Sequence, residues 1–159
     1  MIEDIYSRKV VGWKVHYNET GEQASALLEP SVWVEKCLKK DLLLHSDNSA
    51  PMKSLTMRAK IYDLGVVTSC SRPRVSNDNP YSESLFRTVK YHPRWPSEGF
   101  KSLDEARQWV KEFVYWYNNE HHHSRIKFVT PCQRHEGLNV EILAKRKVLY
   151  QTKRNEHPE

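Results

Sequence analysis

Two carboxylates in this sequence stand where a protein could hold a metal ion. Asp47 ends the apolar run LLLHSD, and Glu83 lies near the start of a helix-like segment, with 35 residues between them. A carboxylate at a strand end and one on a helix can converge at the C-terminal edge of an α/β sheet. Together they would bind a hard cation such as Mg²⁺ through oxygen, and paired ions of that kind assist phosphodiester chemistry. Spacing alone is weak evidence, because the chain contains 20 Asp and Glu residues.

Basic residues lie on both sides of Glu83. Arg72 and Arg74 precede it in a loop, while Arg87 and Lys90 follow it on the same face of a helix. The functional interpretation is contact with DNA phosphates. The alternative is a solvated face of salt bridges, which contributes little to stability.

Residues next to the two carboxylates admit more than one interpretation. His45 could orient Asp47 or face the core, and the sequence leaves both open. Asn77, Asp78 and Asn79 are predicted to shape the loop through Asx turns rather than to bind metal. Asn79 could also cap the helix that follows.

The elements that must position these residues alternate between strand and helix. Two short strand-like runs at 2–5 and 10–15 precede a helix over 20–40, which Pro30 is predicted to break or kink. A strand over 42–45, a helix over 54–64 that stops at Gly65, and a strand over 66–69 follow. This order predicts an α/β sheet with helices on its faces.

The second half of the chain is predicted to be mainly helical. Loops over 71–80 and 92–101 flank a helix over 81–91. Ser102 and Glu105 form a capping box for a helix that runs to about Asn118, with Trp109, Trp116 and Tyr117 on its apolar stripe. Residues 144–159 are basic with few apolar anchors, and a frayed tail is predicted there.

Bulk composition excludes several classes of protein. The 159 residues predict one domain, and the net charge of +5 with a pI of about 9.1 is compatible with a nucleic-acid partner. The three cysteines form no CxxC pair, which argues against a disulfide framework or a zinc knuckle. A signal peptide and an apolar span are absent, so a cytoplasmic location is expected.

Several short motifs of the sequence closely resemble those in the integrase core of IS3-type insertion-sequence transposases. HSDNSAPMK is similar to the family's HSD-N-G, and SRPRVSNDNPYSES to S-R-x-x-x-x-x-D-N-x-x-x-E-S. WYNNEHHHS is similar to W-Y-N-x-x-x-x-H-S, and a T-P pair follows it. SRKVVGW near the start matches S-R-x-x-V-G-W. These words keep their order and spacing from residue 1 to about residue 137.

The resemblance implies an RNase H-like fold and a catalytic triad of Asp, Asp and Glu that uses Mg²⁺ or Mn²⁺. Asp47 matches the second Asp of that triad and Glu83 the Glu, so both are expected to be catalytic metal ligands. The resemblance also favours DNA contact over a salt-bridged face at the flanking basic residues, above all at Lys90 and less so at Arg74. His123 with Ser124 matches a pair that packs after the W-Y-N helix, which favours a structural or DNA-proximal role for the three histidines at 121–123 over zinc.

The first Asp of the triad has no match in this sequence. The family places it in a W-x-x-D-[IVL]-T word, upstream of the S-R-x-x-V-G-W strands. Asp4 instead matches an ordinary Asp that precedes S-R. The resemblance therefore implies a partial catalytic core over 1–137 that lacks the first, central strand, followed by a basic tail over 138–159. Ser49 departs from the family's Gly, and this could shift Asp47 slightly.

Three functional hypotheses remain. The first is a bacterial, DNA-associated transposase core of the kind that cleaves and transfers DNA strands with Mg²⁺ or Mn²⁺. On this hypothesis the chain is inactive alone, because it lacks the first Asp. The second is a non-catalytic remnant that binds DNA or pairs with an intact transposase, and the third is a decayed reading frame. DNA ends, target DNA, a second copy and an intact transposase are the expected partners.

Overall fold

The computed structural model describes residues 1–38, 40–72 and 78–157. The chain divides into two compact units. The first contains Met1–Glu3 and Val11–Val110, and the second contains Asp4–Val10 and Lys111–Glu159. In the described part of the chain, no helix is long and apolar enough to cross a membrane.

The first unit is built around a parallel strand pair, and both of its strands are predicted by the sequence. Strand β3 (Leu43–Ser46) pairs with β4 (Val67–Cys70), so that Leu43 faces Val67 and Ser46 faces Cys70. Two short strands, β1 (Ile2–Glu3) and β2 (Val10–Gly12), form a separate sheet near the start of the chain. The predicted mixed α/β architecture is therefore present in the described residues.

Helices α1 (Gly21–Val34) and α3 (Leu55–Asp63) supply most of the core of this unit. One buried cluster in this unit contains Leu28, Val32, Met57, Ile61, Leu64 and Val66. A short helix, α2 (Ala50–Lys53), which the sequence analysis did not predict, precedes α3. Burial of these apolar side chains supplies the driving force that holds the helices against the sheet.

Helix α1 passes Pro30 without a break, so the predicted interruption is wrong. Proline lacks an N–H, which leaves the carbonyl of Ala26 without its helical donor. Lys14 Nζ donates to that carbonyl at 2.9 Å. A side chain from outside the helix thus replaces the bond that Pro30 removes.

The same helix ends at Val34 rather than at the predicted Lys40. Lys36 adopts a left-handed conformation with φ of 53°. The N–H of Lys36 donates to Trp33 O at 3.1 Å, and that of Cys37 to Val32 O at 2.9 Å. This is the Schellman pattern of helix ends. Glycine is the usual residue in the left-handed position of such a helix end. A lysine there therefore does not indicate the end of the helix in the sequence.

Helix α3 begins and ends as predicted. Ser54 Oγ accepts the N–H of Met57 at 3.1 Å, and Gly65 follows the helix with φ of 67°. The N–H groups of Gly65 and Val66 donate to Tyr62 O and Ile61 O, which forms a second Schellman end. Gly65 permits this conformation without strain.

Helix α4 spans Pro80–Lys90, and α5 spans Leu103–Asn119 across the boundary between the units. Ser102 Oγ accepts the N–H of Glu105 at 3.1 Å, but the Glu105 carboxylate accepts the N–H of Lys101 rather than that of Ser102. The predicted capping box is therefore only half formed.

The second unit continues with a 3₁₀ turn (Ser124–Ile126), α6 (Pro131–His135) and α7 (Asn139–Glu156). Its buried apolar residues include Val10, Phe113, Val114, Tyr117, Ile126 and Val129. A frayed tail over 144–159 is contradicted, because α7 runs through residue 156. Good helix formers and the ion pair between Lys145 and Glu141 at 2.6 Å support this helix.

Candidate metal and nucleic-acid site

Asp47 follows β3 directly and is exposed. One of its carboxylate oxygens, Oδ1, accepts the N–H of Ser49 at 3.2 Å, as in an Asx turn. Ser49 has φ of −65° and ψ of 155°, which any residue adopts freely. The Ser in place of Gly therefore introduces no backbone strain beside Asp47. The carboxylate is at once a turn residue and an exposed potential ligand.

Glu83 lies in the first turn of α4 and is exposed. Its backbone N–H donates to Asn79 O at 3.2 Å. Asn79 occupies the N-cap position of the helix but makes no side-chain cap hydrogen bond, so the predicted cap through its side chain is wrong. Within the described ranges, the Glu83 carboxylate forms no ion pair, which leaves its oxygens available.

His45 connects the sheet to the turn before α4. Its Nδ1 lies 3.1 Å from Ser69 Oγ on β4, and its Nε2 lies 3.0 Å from the backbone carbonyl of Asp78. Because a carbonyl only accepts, Nε2 donates to Asp78 O, while the Ser69 hydroxyl can either donate to Nδ1 or accept from it. His45 thus neither orients Asp47 nor enters the core, and both interpretations left open by the sequence are replaced.

Arg72 and Asp78 close the loop that leads to α4. The Arg72 side chain donates to both Asp78 carboxylate oxygens, Nε to Oδ2 at 2.9 Å and Nη2 to Oδ1 at 2.8 Å. The Arg72 backbone N–H adds a third bond at 2.8 Å. These hydrogen bonds lower the pKa of Asp78 to about 2. Asp78 thus helps to close the loop, as predicted, but through Arg72 rather than through the predicted Asx turn.

The other predicted DNA contacts divide into two groups. Arg74 and Asn77 lie in 73–77, outside the described residues. Arg87 and Lys90 are exposed in the last turn of α4, and the Arg87 guanidinium lies 5.9 Å from the centre of the Tyr91 ring. In the part of the chain that the structure describes, neither pairs with Glu83. The salt-bridged alternative is therefore not formed there.

The donor set of Asp47 and Glu83 consists of hard oxygens, which suits a small divalent cation. The described residues contain no cluster of three or more His, Cys, Asp or Glu side chains arranged for a metal ion. Mg²⁺ commonly takes one or two protein carboxylates and completes its shell with water or phosphate oxygens. Two carboxylates therefore fit part of such a shell.

Asp4 serves the backbone of the second unit. Its Oδ2 accepts the N–H and the hydroxyl of Ser7, and it lies 3.4 Å from His135 Nδ1. Although partial burial opposes ionisation, hydrogen bonds from Ser7, Tyr6 and His135 lower the Asp4 pKa. This carboxylate is held in a turn that the Asp-x-x-Ser spacing signals.

Asn118, in the W-Y-N motif, has a structural role that was not predicted from the sequence. Its side chain is buried and bonds both backbone groups of Val10. The Val10 N–H donates to Oδ1 at 2.9 Å, and Nδ2 donates to the Val10 carbonyl at 3.0 Å. An Asn on the same stripe as Val114 and Tyr117 is the signal for such a buried hydrogen bond.

Two of the three histidines at 121–123, His121 and His123, have structural contacts in the second unit. The His121 ring lies 4.8 Å from that of Trp116 and 5.5 Å from that of Tyr117. The His123 Nδ1 accepts the N–H of Arg125 and caps the 3₁₀ turn. Burial is the main cause that lowers the pKa of both His121 and His123. The expected structural role is confirmed for these two residues.

Tyr117 is fully buried, and Trp109 and Trp116 are half-buried in ring clusters. Trp109 packs edge-on against Trp95 at 5.1 Å between ring centres, and its Nε1 donates to Arg94 O at 2.7 Å. The predicted core role of this stripe is confirmed. All three cysteines, Cys37, Cys70 and Cys132, are free, as expected.

Two solved structures have a fold similar to that of this chain. A chain of the simian T-cell lymphotropic virus intasome, in complex with PP2A regulatory subunit B56 gamma, aligns with 76% of this chain and 41% of its own, at 14% identity and a TM-score of 0.57. The catalytic core domain of BIV integrase aligns with 84% of this chain and 80% of its own, at 16% identity and a TM-score of 0.53. The chain has the RNase H-like fold of integrase catalytic cores, as predicted.

Comparison with protein families and other sequences shows two further similarities. A family model described as an integrase core domain matches residues 64–131, which include Glu83 but not Asp47. The transposase for insertion sequence element IS629 of Shigella sonnei is 23% identical over 144 residues, covering 89% of this chain and 47% of that transposase. The chain thus spans about half the length of this curated relative. The predicted resemblance to an IS3-type transposase core is confirmed by these similarities.

Proposed function

We propose that this chain acts in DNA integration or transposition, as the core that cuts DNA phosphodiesters and transfers the strand. The observation that carries the proposal is the integrase core over residues 64–131. Two exposed carboxylates support it. Asp47 follows the end of β3, and Glu83 follows the turn that His45 ties to the same sheet.

Asp47 and Glu83 are the proposed catalytic residues and the ligands of Mg²⁺ or Mn²⁺. When bound, such ions lower the cost of charge on the attacking and leaving oxygens of a phosphodiester. The two side chains contribute anionic oxygens on short, ordered segments. The Asx turn at Asp47 fixes the direction of one carboxylate, and the first turn of α4 fixes the backbone of the other.

The triad of the family needs a further aspartate, and this sequence offers no match for it. Asp4 is a poor substitute because Ser7 and His135 already engage its carboxylate. We therefore expect this chain alone to lack strand-transfer activity. A second copy or an intact transposase is its proposed protein partner, and transposon ends with target DNA are its proposed substrate.

DNA phosphates are the proposed partners of the basic residues around α4, namely Arg72, Arg74, Arg87 and Lys90. Lys90 and Arg87 are exposed and unpaired with acids among the described residues. Arg72 would have to exchange its bonds to Asp78 for a phosphate. This makes Lys90 and Arg87 the stronger contacts of the described set.

Metal binding tests the carboxylate pair directly. Paramagnetic broadening of amide signals by Mn²⁺ should centre on Asp47 and Glu83. Asp47→Asn and Glu83→Gln should each abolish most of it, because two carboxylates share the ion. Asp63→Asn removes an exposed carboxylate at the end of α3 and serves as the control. Broadening that is unchanged in both site variants would reject the assignment.

Strand-transfer assays with Mg²⁺ and Mn²⁺ test the activity of the chain. Robust activity that is lost in Asp47→Ala and in Glu83→Ala, but not in Asp4→Ala, would contradict the expectation that the chain is inactive alone. Salt-dependent DNA binding without metal-dependent cleavage would instead favour the second hypothesis, a non-catalytic DNA-binding remnant.

A further inference from the structure

The second unit contains a groove between Ser124–Phe128 and helix α7. Its volume is about 790 Å³. The chemically distinctive side chains of its wall are basic or aromatic: Lys127, Phe128, Arg146, Lys147, Tyr150 and Arg154. We name this feature the α7 groove.

Arg146 fixes the shape of the α7 groove. Its guanidinium donates to Lys127 O at 2.8 Å and to Phe128 O at 2.9 Å. Both of those residues have left-handed backbones, with φ of 61° and 56°. The two hydrogen bonds therefore hold an unusual turn, in which Phe128 is 58% exposed. Such a preformed wall reduces the ordering cost of binding.

Positive charge in the α7 groove is not neutralised by the acids of the helix. Glu141 pairs with Lys145 at 2.6 Å, and Glu156 pairs with Lys153 at 2.6 Å. None of these four residues lines the groove. In the described ranges, the side chains of Lys127, Lys147 and Arg154 form no ion pair. The groove therefore favours an anionic occupant.

Three of the lining residues combine an exposed ring with two cations on one face of α7. Lys147, Tyr150 and Arg154 lie three and four residues apart, which places them on one face of α7. Tyr150 is 70% exposed. Exposed rings between cations bind single strands, since the rings stack on bases while the cations pair with phosphates. In a duplex, base faces are already stacked, and the rings would have nothing to cover.

We propose that the α7 groove binds single-stranded DNA. The integrase core in the same chain favours DNA as the strand. The proposal goes beyond the proposed function, because none of the groove residues belongs to the carboxylate pair or to the basic residues around α4. It also needs no metal ion, so it can be tested in the presence of a chelator.

Fluorescence anisotropy of the full chain with a short labelled single-stranded DNA tests this proposal. Lys147→Gln with Arg154→Gln should weaken binding and reduce the salt slope by about 1.4, since each phosphate contact to a single strand contributes about 0.7. Tyr150→Ser should weaken binding about fivefold or more by removing a stacking ring. Circular dichroism verifies that each variant keeps its helix content.

The matched control is Lys145→Gln with Lys153→Gln, which removes the same charge from the same helix outside the groove. Equal weakening by the control and groove variants would overturn the proposal, because it would show only general charge attraction. Equal sensitivity of duplex binding to Tyr150→Ser would overturn the single-strand assignment. Tighter binding of the matching RNA, with the same variant effects, would overturn the choice of DNA. Weaker single-stranded DNA binding in the groove variants, with unchanged binding in the control variant, would support the proposal.

Discussion

Asn118 completes the backbone hydrogen bonding of a residue 108 positions away in the sequence. Its amide has one donor side and one acceptor side, and it presents both to Val10 as a neighbouring strand would. The pair is buried, so water cannot replace these bonds. This explains why a polar residue sits on the apolar stripe of α5.

Asn118→Ala should lower the free energy of unfolding by about 2–4 kcal/mol, since it leaves two buried backbone groups without partners. Chemical denaturation measures the change. Asn119→Ala is the matched control, because Asn119 is exposed and bonds only Tyr115 O within its own helix. We expect the control to change stability by about 0.5 kcal/mol or less. Equal losses of unfolding free energy in both variants would contradict a stabilising role for the hydrogen bonds between Asn118 and Val10.

The bond between Arg72 and Asp78 predicts an unusually acidic carboxyl group. Carbon NMR should give a titration midpoint of about 2 for Asp78. In Arg72→Gln the midpoint should rise toward the ordinary aspartate value of about 3.9. A lowered carboxyl pKa stabilises the folded loop above the unfolded value, and this contribution is lost as pH falls through the folded one.

Arg107→Gln is the control for this titration, since it removes an arginine that pairs with Asp104 instead. Asp78 should keep its low midpoint in that variant. A midpoint that stays near 2 in Arg72→Gln would show that another group holds the charge of Asp78.

At the scale of the element, helix α1 contains a proline and still continues past it, and a side chain from outside the helix supplies a hydrogen bond at that point. Thr20 begins it by accepting the N–H of Gln23 at 3.3 Å. Lys14 then supplies a donor to Ala26 O, which Pro30 leaves without one. Ser31 Oγ also donates to Leu27 O at 2.8 Å, which further ties the turn around the proline.

A double-mutant cycle tests the link between Lys14 and Pro30. Pro30→Ala should raise the free energy of unfolding by about 1–3 kcal/mol, because alanine restores the helical N–H. Lys14→Met should cost about 0.5–1.5 kcal/mol in the natural chain and almost nothing in the Pro30→Ala background. An identical cost of Lys14→Met in both backgrounds would exclude the proposed replacement.

At the scale of the whole molecule, several histidines share one direction of shift. The pKa values of His92, His121 and His123 are all lowered, with burial as the leading cause. The folded chain therefore binds fewer protons than the unfolded chain below the ordinary histidine pKa of about 6.5. Stability from these groups is complete above about pH 6.5 and declines as pH falls toward their folded pKa values.

We expect the melting temperature to be a few degrees lower at about pH 5.5 than at about pH 7.5, as measured by calorimetry. Ordinary carboxylates stay ionised over that range, so histidines dominate the change. The variant His121→Phe with His123→Asn keeps an aromatic ring and a capping side chain, and it should flatten the response. A full response in that variant would assign the pH dependence to other groups.

The sequence by itself determined the elements whose signals are local. Leu42–His45 and Val66–Ser69 were identified as strands by apolar runs, and α3 and its end by Ser54 and Gly65, because turn and cap chemistry acts between near neighbours. Its motifs also carried the resemblance to integrase cores and singled out Asp47 and Glu83 as candidate metal ligands.

Only the tertiary structure decided the features that depend on contacts between distant parts of the chain. Lys14 donates to the carbonyl that Pro30 leaves without its helical donor, and Asn118 bonds the backbone of Val10. His45 was open between two local roles and took a third, because its partners lie on β4 and beside α4. Local propensity carries no information on such partners, and at Asn118 burial makes the hydrogen bonds costly to lose.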